Sequence, residues 1–381
     1  MKVTVAIDSL KGSLTSMEAG EAARRGVLAA CPEAEVTVLP LADGGEGTVR
    51  ALTCGGGRTV TATVKGPLGA PTVAEYGLLA DGTAVIEMAA AAGLPLLAPE
   101  ERDPTRTTTF GVGELIADAI RRGCRRFLIG IGGSATNDGG AGMLEALGFR
   151  LLRADGAPIG RGGAALATIA AIDASAACPL LSECEFRVAS DVGNPLCGAE
   201  GASAVYGPQK GATDEDIALL DAALSRFAEV AAATLGTDHS RHPGAGAAGG
   251  LGFALLAFLG ARLESGVTLV NEMTGLKEAL EGSDLVLTGE GRLDGQSAFG
   301  KAPVGVAREA KMHGIPTVAI GGCVTEEADA LHDLGIDAFF PIPDAPCTLA
   351  EAMTPERAIR NIERTVREAV RLYLAAKGKR P

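Results

Sequence analysis

The feature that most constrains the fold is a pattern that returns along the whole chain. A short apolar run is followed by a polar loop rich in glycine and then by a helix-like stretch, with the apolar runs at residues 3–7, 36–41, 127–131, 285–287 and 317–320. Strands that alternate with helices, with glycine loops after the strands, are typical of a parallel, doubly wound sheet. The pattern therefore predicts an α/β protein whose loops follow the carboxyl ends of its strands.

Two regions depart from this pattern. Residues 60–88 contain short alternating runs separated by turn residues, which predicts an antiparallel meander. Between residues 150 and 283, helices follow strand-like runs that lie at 147–152, 186–190 and 202–206. A second α/β domain with mixed or antiparallel strands is therefore expected inside the first.

The simplest domain division follows from these departures. Residues 1–60 and 284–381 are expected to form the parallel-sheet domain, and residues 61–283 the inserted domain. The segment 104–148 fits either domain and is left open between them. We expect the active site in the cleft between the two domains, because two-domain α/β proteins commonly bind ligands there.

Glycine supplies 53 of the 381 residues, about twice the usual ~7%. The glycines show no spacing of three and 47% of the residues are hydrophobic, so a collagen-like or disordered chain is excluded. Glycine permits a positive φ and a close approach of the backbone. We therefore expect it to act at particular loops between well-packed elements.

Charge, hydropathy and cysteine content indicate which binding partners and which cell compartment to expect. The net charge of −13 disfavours nucleic acid, because phosphate binding needs a surplus of lysine and arginine. Residues 243–261 are uncharged, but glycines in their first half and leucines at helical spacing predict a buried helix rather than a membrane span. Eight cysteines without a C-x-x-C pair, and a first strand without a signal sequence, predict a cytoplasmic protein with reduced thiols.

Three glycine loops have spacings that occur in nucleotide-binding proteins. The loop that begins at Gly130 fits G-x-G-x-x-[GA], with Asp155 further on, so a nicotinamide site stays open beside a phosphate or substrate loop. Residues 244–249 fit the same spacing without a preceding strand, where a tight helix start without ligand is the alternative. Residues 295–302 nearly match a P-loop, but Ala302 replaces the Ser or Thr that would bind Mg²⁺; Lys301 is either a phosphate contact or a solvated lysine.

Carboxylates follow several predicted strands. Phosphoryl transfer needs oxygen ligands for Mg²⁺ and a base for the attacking hydroxyl, whereas an isolated loop Asp is usually a helix cap or turn former. Because ligands bind at the carboxyl strand ends of such sheets, some of these acids are expected to converge. The acids in question are Asp8, Asp43, Glu46, Asp138, Asp191, Glu290 and Asp294.

Seven motifs, taken in order, resemble the glycerate kinase family of the bacterial type-1 class. The resemblance covers essentially the whole chain, and the combination is far more specific than any one motif. The only departure noted is Leu10, where relatives commonly carry an aromatic residue. The motifs are DSLKGS (8–13), ADGGEGT (42–48), GPLG (66–69), IGGSATNDGG (131–140), DVGNPL (191–196), GPQKGA (207–212) and TGEGR (288–292).

The resemblance implies a flavodoxin-like domain interrupted by a second domain. It also implies ATP-dependent phosphorylation of D-glycerate, with ATP and Mg²⁺ required and 2-phosphoglycerate favoured as product. A small hydroxy-acid sensor or receptor and an NAD-dependent hydroxyacid dehydrogenase remain as alternatives. Neither nucleic acid nor a membrane is expected as a partner.

Residue roles are assigned as hypotheses on this basis. Lys11 and the amides of Gly132, Gly133 and Ser134 are expected to bind anionic groups of the substrates. Asp191 is the candidate base, and Asp294 is the second candidate for a catalytic role. Asp43 and Glu46 are candidate Mg²⁺ ligands. Further substrate- or nucleotide-binding candidates are Asp8, Ser13, Thr136, Asn137, Asn194, Gln209, Lys210, Glu290, Arg292 and Lys301.

Overall fold

The structure is a computed structural model that describes residues 1–299 and 301–378. Its strands are β1 (Lys2–Ile7), β2 (Glu35–Pro40), β3 (Arg58–Lys65), β4 (Pro71–Leu78), β5 (Thr83–Glu87), β6 (Arg126–Gly130), β7 (Arg150–Leu152), β8 (Ala171–Asp173), β9 (Glu185–Ala189), β10 (Arg262–Glu264), β11 (Leu285–Glu290), β12 (Thr317–Gly321) and β13 (Ala338–Pro341). Its α-helices are α1 (Ser16–Ala30), α2 (Thr48–Thr53), α3 (Ala89–Ala92), α4 (Phe110–Arg121), α5 (Ala141–Ala146), α6 (Ala202–Tyr206), α7 (Asp214–Leu235), α8 (Ala247–Leu259), α9 (Gly266–Thr274), α10 (Leu276–Leu280), α11 (Ala302–Met312), α12 (Leu349–Ala352) and α13 (Pro355–Ala376).

Contacts divide the chain into two compact units. The first contains residues 1–43 and 267–381, and the second contains residues 44–266. The sequence pattern predicts these boundaries at residues 60 and 283 instead. Residues 44–60 fall in the second unit because α2 packs on β4 and β5, and residues 267–283 fall in the first because Val267 and Leu280 share a core with Val286. The segment 104–148 supplies α4, β6 and α5 to the second unit.

The first unit contains a fully parallel sheet with the strand order β13-β12-β11-β1-β2. In the order of this unit's own strands that is 5-4-3-1-2, which is the flavodoxin-like arrangement. The predicted fold class is therefore confirmed. The direction of winding reverses between β1 and β11, so the crevice for a ligand is expected at the carboxyl ends of these two strands.

Helices cover both faces of this sheet. On one face α1 and α13 bury Val27 and Ile362 against β1 and β11. The two helices approach closely at Gly26, where a Cβ would lie 2.6 Å from the carbonyl oxygen of Glu363. On the other face, α9, α10 and α11 form a smaller core with β1 and β11. The strands are thus apolar on both sides, as expected for a parallel sheet.

The second unit is built on a sheet with the order β10-β9-β6-β5-β4-β3. Strands β3, β4 and β5 form the predicted antiparallel meander, whereas β5, β6, β9 and β10 run parallel. The carboxyl ends of these four parallel strands consequently meet at one edge. A separate hairpin pairs β7 with β8.

One predicted strand is a helix. Residues 202–206 form α6, which packs against α7 and α8. The neighbouring residues Ala202 and Ser203 are both fully buried while Val205 is exposed, so burial does not alternate as a strand requires. The uncharged segment around α8 is a buried helix, as expected. Within the described residues, no helix has the length and apolar character needed to cross a membrane.

Candidate active site

Three neighbouring strands of the first unit each lead into a carboxylate. Glu290 is the last residue of β11, Asp8 directly follows β1, and Asp43 follows β2 after two residues. Because β1 lies between β11 and β2, parallel pairing brings all three carboxylates to the same edge of the sheet. Two of them flank the point at which the winding reverses, where α/β proteins bind their ligands.

Asp8 is the most perturbed acid of this group. It is only 9% exposed, and one carboxylate oxygen accepts a hydrogen bond from the Ser9 amide at 2.7 Å. Burial, together with the negative charges of Asp43 and Glu290, raises the pKa of Asp8 to about 7, although the Ser9 amide and Lys11 act in the opposite direction. The unit therefore places a carboxylate that titrates near neutral pH at its ligand-binding edge.

Glu290 joins this edge to the loop that precedes α11. Its Oε1 atom accepts a hydrogen bond from the Ser297 hydroxyl at 2.5 Å, and its Oε2 atom lies 4.0 Å from Lys301 Nζ. Burial raises the pKa of Glu290 above its usual value. Lys301 is the N-cap residue of α11, and Gly300, part of the near match to a P-loop, lies outside the described residues.

Other candidates of the first unit lie around these acids. Asp294 accepts a hydrogen bond from the Gln296 amide at 2.9 Å and pairs with Arg292 at 3.1 Å, so both carboxylate oxygens hold the loop. Lys11 is exposed. The Ser13 hydroxyl is buried and has no hydrogen-bond partner within residues 1–299 and 301–378. Lys11 and Arg292 are thus both exposed, although Arg292 is paired with Asp294, which itself holds the loop.

The second unit gathers a different set of groups at its own carboxyl edge. The strands end at Glu87 (β5), Gly130 (β6), Ala189 (β9) and Glu264 (β10). After β6, Gly132 and Gly133 are exposed, with φ at +74° for Gly133, while Ser134 is buried. Exposed glycines at a strand end leave backbone amides accessible to an anion.

Buried polar residues hold the loop after β6 through hydrogen bonds in the interior of the second unit. Lys210 Nζ donates to the carbonyl oxygen of Thr136 at 2.7 Å, and the side-chain Nδ2 atom of Asn137 donates to the Ser203 hydroxyl at 2.9 Å. Lys210 is 2% exposed, and burial lowers its pKa to about 7, although the charge of Asp138 opposes the shift. Thr136, Asn137 and Lys210 therefore fix the loop, and in this conformation none of them lies at the surface.

Asp138 is also fully buried. Its carboxylate accepts hydrogen bonds from the amides of Thr109 at 2.8 Å and Gly142 at 3.2 Å. Burial raises its pKa above the usual value, while these amides act in the opposite direction. Asp138 thus connects the loop after β6 to the start of α4.

The geometry after β6 differs from a dinucleotide-binding turn. That fingerprint needs a helix that starts within the glycine motif. Here α5 begins only at Ala141 and has six residues. Asp155 is a turn residue whose carboxylate accepts a hydrogen bond from the Ala157 amide at 3.0 Å. The glycine spacing and Asp155, which suggested a nicotinamide-binding site, therefore do not have the structure that such a site requires.

The remaining candidates of the second unit lie on other loops. Asp191 is exposed, and its Oδ1 atom accepts a hydrogen bond from the Gly266 amide at 3.0 Å. Asn194 is engaged on both sides, since it accepts from the Tyr206 hydroxyl at 2.6 Å and donates to the Glu200 carbonyl oxygen at 2.8 Å. Gln209 and Glu46 are exposed. Asp191, Gln209 and Glu46 are therefore accessible to a ligand.

Sequence reasoning missed Glu87. This residue lies next to the end of the predicted meander, but an apolar run continues directly after it and no glycine loop follows it. In the structure its carboxylate accepts a hydrogen bond from the Val49 amide at 2.7 Å. A strand-end acid thus contacts the glycine loop that carries Glu46.

The fold and these strand-end groups define an α/β protein with polar and charged groups at the carboxyl ends of its parallel strands. A sequence model of the glycerate kinase family matches residues 3–374. The chain is 48% identical to a glycerate kinase of Bacillus subtilis (strain 168), with 97% of this chain and 96% of the relative covered. It is also 48% identical to the glycerate 2-kinase of Escherichia coli (strain K12), with 96% and 98% covered.

A solved structure agrees with these matches. The crystal structure described as glycerate kinase 2 from Salmonella typhimurium LT2 superposes with a TM-score of 0.91 at 47% identity, covering 99% of both chains. The chain therefore belongs to the glycerate kinase family and is a kinase. The family resemblance derived from the seven motifs is confirmed.

Proposed function

We propose that this protein transfers the terminal phosphoryl group of ATP to a hydroxyl of D-glycerate. The observation that carries the proposal is the family match over residues 3–374. One relative that covers nearly the whole chain is named glycerate 2-kinase, which supports phosphorylation of the 2-hydroxyl and 2-phosphoglycerate as the product. The protein would thus act on two anionic substrates in spite of its net charge of −13.

Mg²⁺ is proposed as the metal that accompanies ATP. Carboxylate oxygens are the ligands that Mg²⁺ prefers, and it usually binds one or two of them together with substrate phosphates. In the described residues no group of three or more His, Cys, Asp or Glu could hold a metal ion by itself, which is compatible with this mode of binding. Asp43 and Glu46 are therefore kept as the proposed carboxylate donors to an ion that would arrive with ATP and would neutralise phosphate charge when bound.

Cationic and amide groups are proposed to bind the anionic parts of the substrates. In the first unit Lys11 and Arg292 are exposed, and Lys301 is part-exposed beside Glu290. In the second unit the exposed backbone of Gly132 and Gly133 offers amides. Binding by fixed amides and side chains orients the phosphoryl group and the attacking hydroxyl, which supplies much of the rate enhancement in such transfers.

Asp8 is our candidate for the group that accepts the hydroxyl proton. A general base works best when its pKa is near the working pH, and the pKa of Asp8 is about 7. The sequence favoured Asp191, which is exposed and held by the Gly266 amide. The two candidates differ in what their amide variants should do.

Asp191→Asn is expected to raise KM for glycerate or ATP while changing kcat less than about tenfold, because a surface carboxylate that only helps binding affects KM first. The measurement is a full steady-state analysis with both substrates. A kcat loss of about 10²-fold or more with unchanged nucleotide affinity would return the role of base to Asp191.

An assay of the purified protein with D-glycerate tests the proposed function. With MgATP, release of ADP that depends on D-glycerate is expected. Formation of NADH with NAD in place of ATP would indicate a dehydrogenase, and binding of glycerate without turnover would indicate a receptor. Either of the last two results would overturn the proposal.

A further inference from the structure

We propose that Glu87 is a positioning residue that holds the glycine loop of residues 44–49, and with it Glu46, in the conformation needed for catalysis. The proposal rests on the kinase function and goes beyond it by assigning a role to a residue outside the recognised motifs. All contacts that carry it lie within the second unit.

The first step is the contact between Glu87 and the loop. Glu87 is the last residue of β5, and its Oε1 atom accepts a hydrogen bond from the Val49 amide at 2.7 Å. Burial raises the pKa of Glu87, and the nearby Gly47 and Thr48 amides favour its ionised form against that effect. The half-buried carboxylate of Glu87 is thus bonded to the Val49 amide, at the start of α2, and lies close to the two amides before it.

The second step is the fixation of the other end of the loop. Gly44 has φ at +85°, and a Cβ there would lie 2.5 Å from the Cβ of Ala189 and 3.0 Å from the Cα of Gly266. A Cβ on Gly130 would lie 2.2 Å from the carbonyl oxygen of Gly44. The loop therefore lies directly against the ends of β6 and β9, and only its middle is exposed.

The middle of the loop is its exposed part. Between its two held ends the loop carries Glu46, which is exposed. A Cβ on Gly132 would lie 3.4 Å from the Cα of Gly45, so the loop lies beside the exposed glycines that follow β6. Because Glu87 also pairs in register with Gly130, the same strand end supports both loops. Loss of the Glu87 carboxylate should therefore displace Glu46 relative to Gly132.

If Glu87 only capped α2 and stabilised the fold, its loss would lower stability without changing the position of Glu46. Glu114 offers the matched comparison, since its Oε2 atom accepts a hydrogen bond from the Lys65 amide at 2.6 Å and it is likewise half-buried. Its amide partner lies at the end of β3 rather than on the loop. Glu114→Gln should therefore reproduce any general loss of stability without moving Glu46.

The experiment compares Glu87→Gln and Glu114→Gln in the full chain by two independent readouts. In Glu87→Gln the Mg²⁺ concentration for half-maximal activity should rise by about 10-fold or more, as for other residues that orient metal ligands. Amide hydrogen exchange of residues 47–49 should be about 10-fold faster than in the wild type, because a local hydrogen bond is lost. Glu114→Gln should stay within about twofold of the wild type in both.

Two results would overturn the proposal: unchanged Mg²⁺ half-saturation in a Glu87→Gln protein whose loop exchanges faster, or unchanged exchange of the loop. If Glu87→Gln does not fold, Glu87→Asp, which keeps the charge but shortens the side chain, is judged by the same readouts. The exchange measurement does not depend on turnover. It therefore tests the loop contact even if the wild-type protein proves inactive toward glycerate.

Discussion

Asp8→Asn is expected to remove most of the turnover and, at the same time, to make the metal-free protein more stable at pH 8. If Asp8 accepts the hydroxyl proton, its amide replacement should lower kcat by about 10²- to 10⁴-fold, the usual contribution of a general base. Binding of ATP should persist, because Asn preserves the shape of the side chain. Turnover of the wild type should rise with pH through about 7, where Asp8 ionises.

The gain in stability follows from the direction of the pKa shift. In the unfolded chain Asp8 ionises near 3.8, whereas in the folded protein it ionises at about 7. Between these values the folded state binds more protons than the unfolded state, so the wild type loses stability as the pH rises from about 4 to about 7. Above pH 7 the folded wild type bears the full free-energy cost of ionising Asp8. Asn does not ionise, so the variant should recover roughly 2–4 kcal/mol of unfolding free energy.

Urea unfolding and steady-state kinetics at pH 5.5 and pH 8 check both parts. The stability advantage of Asp8→Asn should be about 2 kcal/mol smaller at pH 5.5 than at pH 8. Asp337→Asn serves as the control. The Asp337 carboxylate also accepts a backbone hydrogen bond, from the Thr317 amide at 2.7 Å, but Thr317 is the first residue of β12 and so lies away from the carboxyl edge that carries Asp8. An Asp8→Asn protein that keeps kcat within about threefold of the wild type would exclude Asp8 as the base.

Gly249→Ala should produce the largest loss of stability among simple glycine replacements in the second unit. Gly249 has φ at +67°, and a Cβ there would lie 2.0 Å from the carbonyl oxygen of Thr136. That oxygen accepts the hydrogen bond from the buried Lys210. Positive φ costs an L-residue roughly 1–2 kcal/mol and overpacking adds about 1–3 kcal/mol, so a loss of roughly 2–5 kcal/mol is expected.

The comparison variant is Gly260→Ala at the other end of the same helix. Gly260 also has positive φ, +63°, but a Cβ there would meet no atom within 4 Å. Gly260→Ala should therefore lose only about 1–2 kcal/mol of unfolding free energy, which is the cost of placing an L-residue at positive φ. Gly249→Ala should in addition raise KM for a substrate, since the clash displaces the support of Gly132 and Ser134. Equal losses of stability in the two variants would show that the approach to Thr136 is unimportant.

The sequence was most informative about the first unit. Asp8 and Glu290 could be selected because each ends an apolar run, and carboxyl strand ends are where α/β sheets bind ligands. That Asp43 shares their edge follows from the strand order β11-β1-β2, which depends on pairing between residues far apart in the chain. Local patterns contain no information on such pairing, so the raised pKa of Asp8 could not be predicted.

In the second unit the local signals were less complete. Lys210 lies in the Gly-Pro-Gln-Lys-Gly motif and is a substrate- or nucleotide-binding candidate through the family resemblance, and the structure shows it buried with its Nζ atom bonded to the Thr136 carbonyl oxygen. Glu87 ends an ordinary strand, and the role proposed for it depends on the pairing of β5 with β6, which local sequence does not show. Residues 202–206 are apolar enough for a strand, but their neighbours are the helices α7 and α8. Each of these outcomes is decided by tertiary contacts.

The glycine surplus that the composition shows has concrete causes. Gly130 and Gly249 are required because another segment's carbonyl oxygen occupies the space of a side chain. Gly132 and Gly133 are different, since they are exposed and leave their backbone open. Glycine thus serves close packing at some positions and access to the backbone at others.

Phosphorus NMR of a reaction with D-glycerate and MgATP tests the central claim most directly. Transfer to the 2-hydroxyl should produce one phosphate monoester per ADP formed, with a doublet from coupling to the single hydrogen on C2. A triplet would show transfer to the 3-hydroxyl and contradict the proposed product. Spectra in which ATP remains unchanged, or in which inorganic phosphate forms without any ester, would contradict the account of this protein as a glycerate kinase.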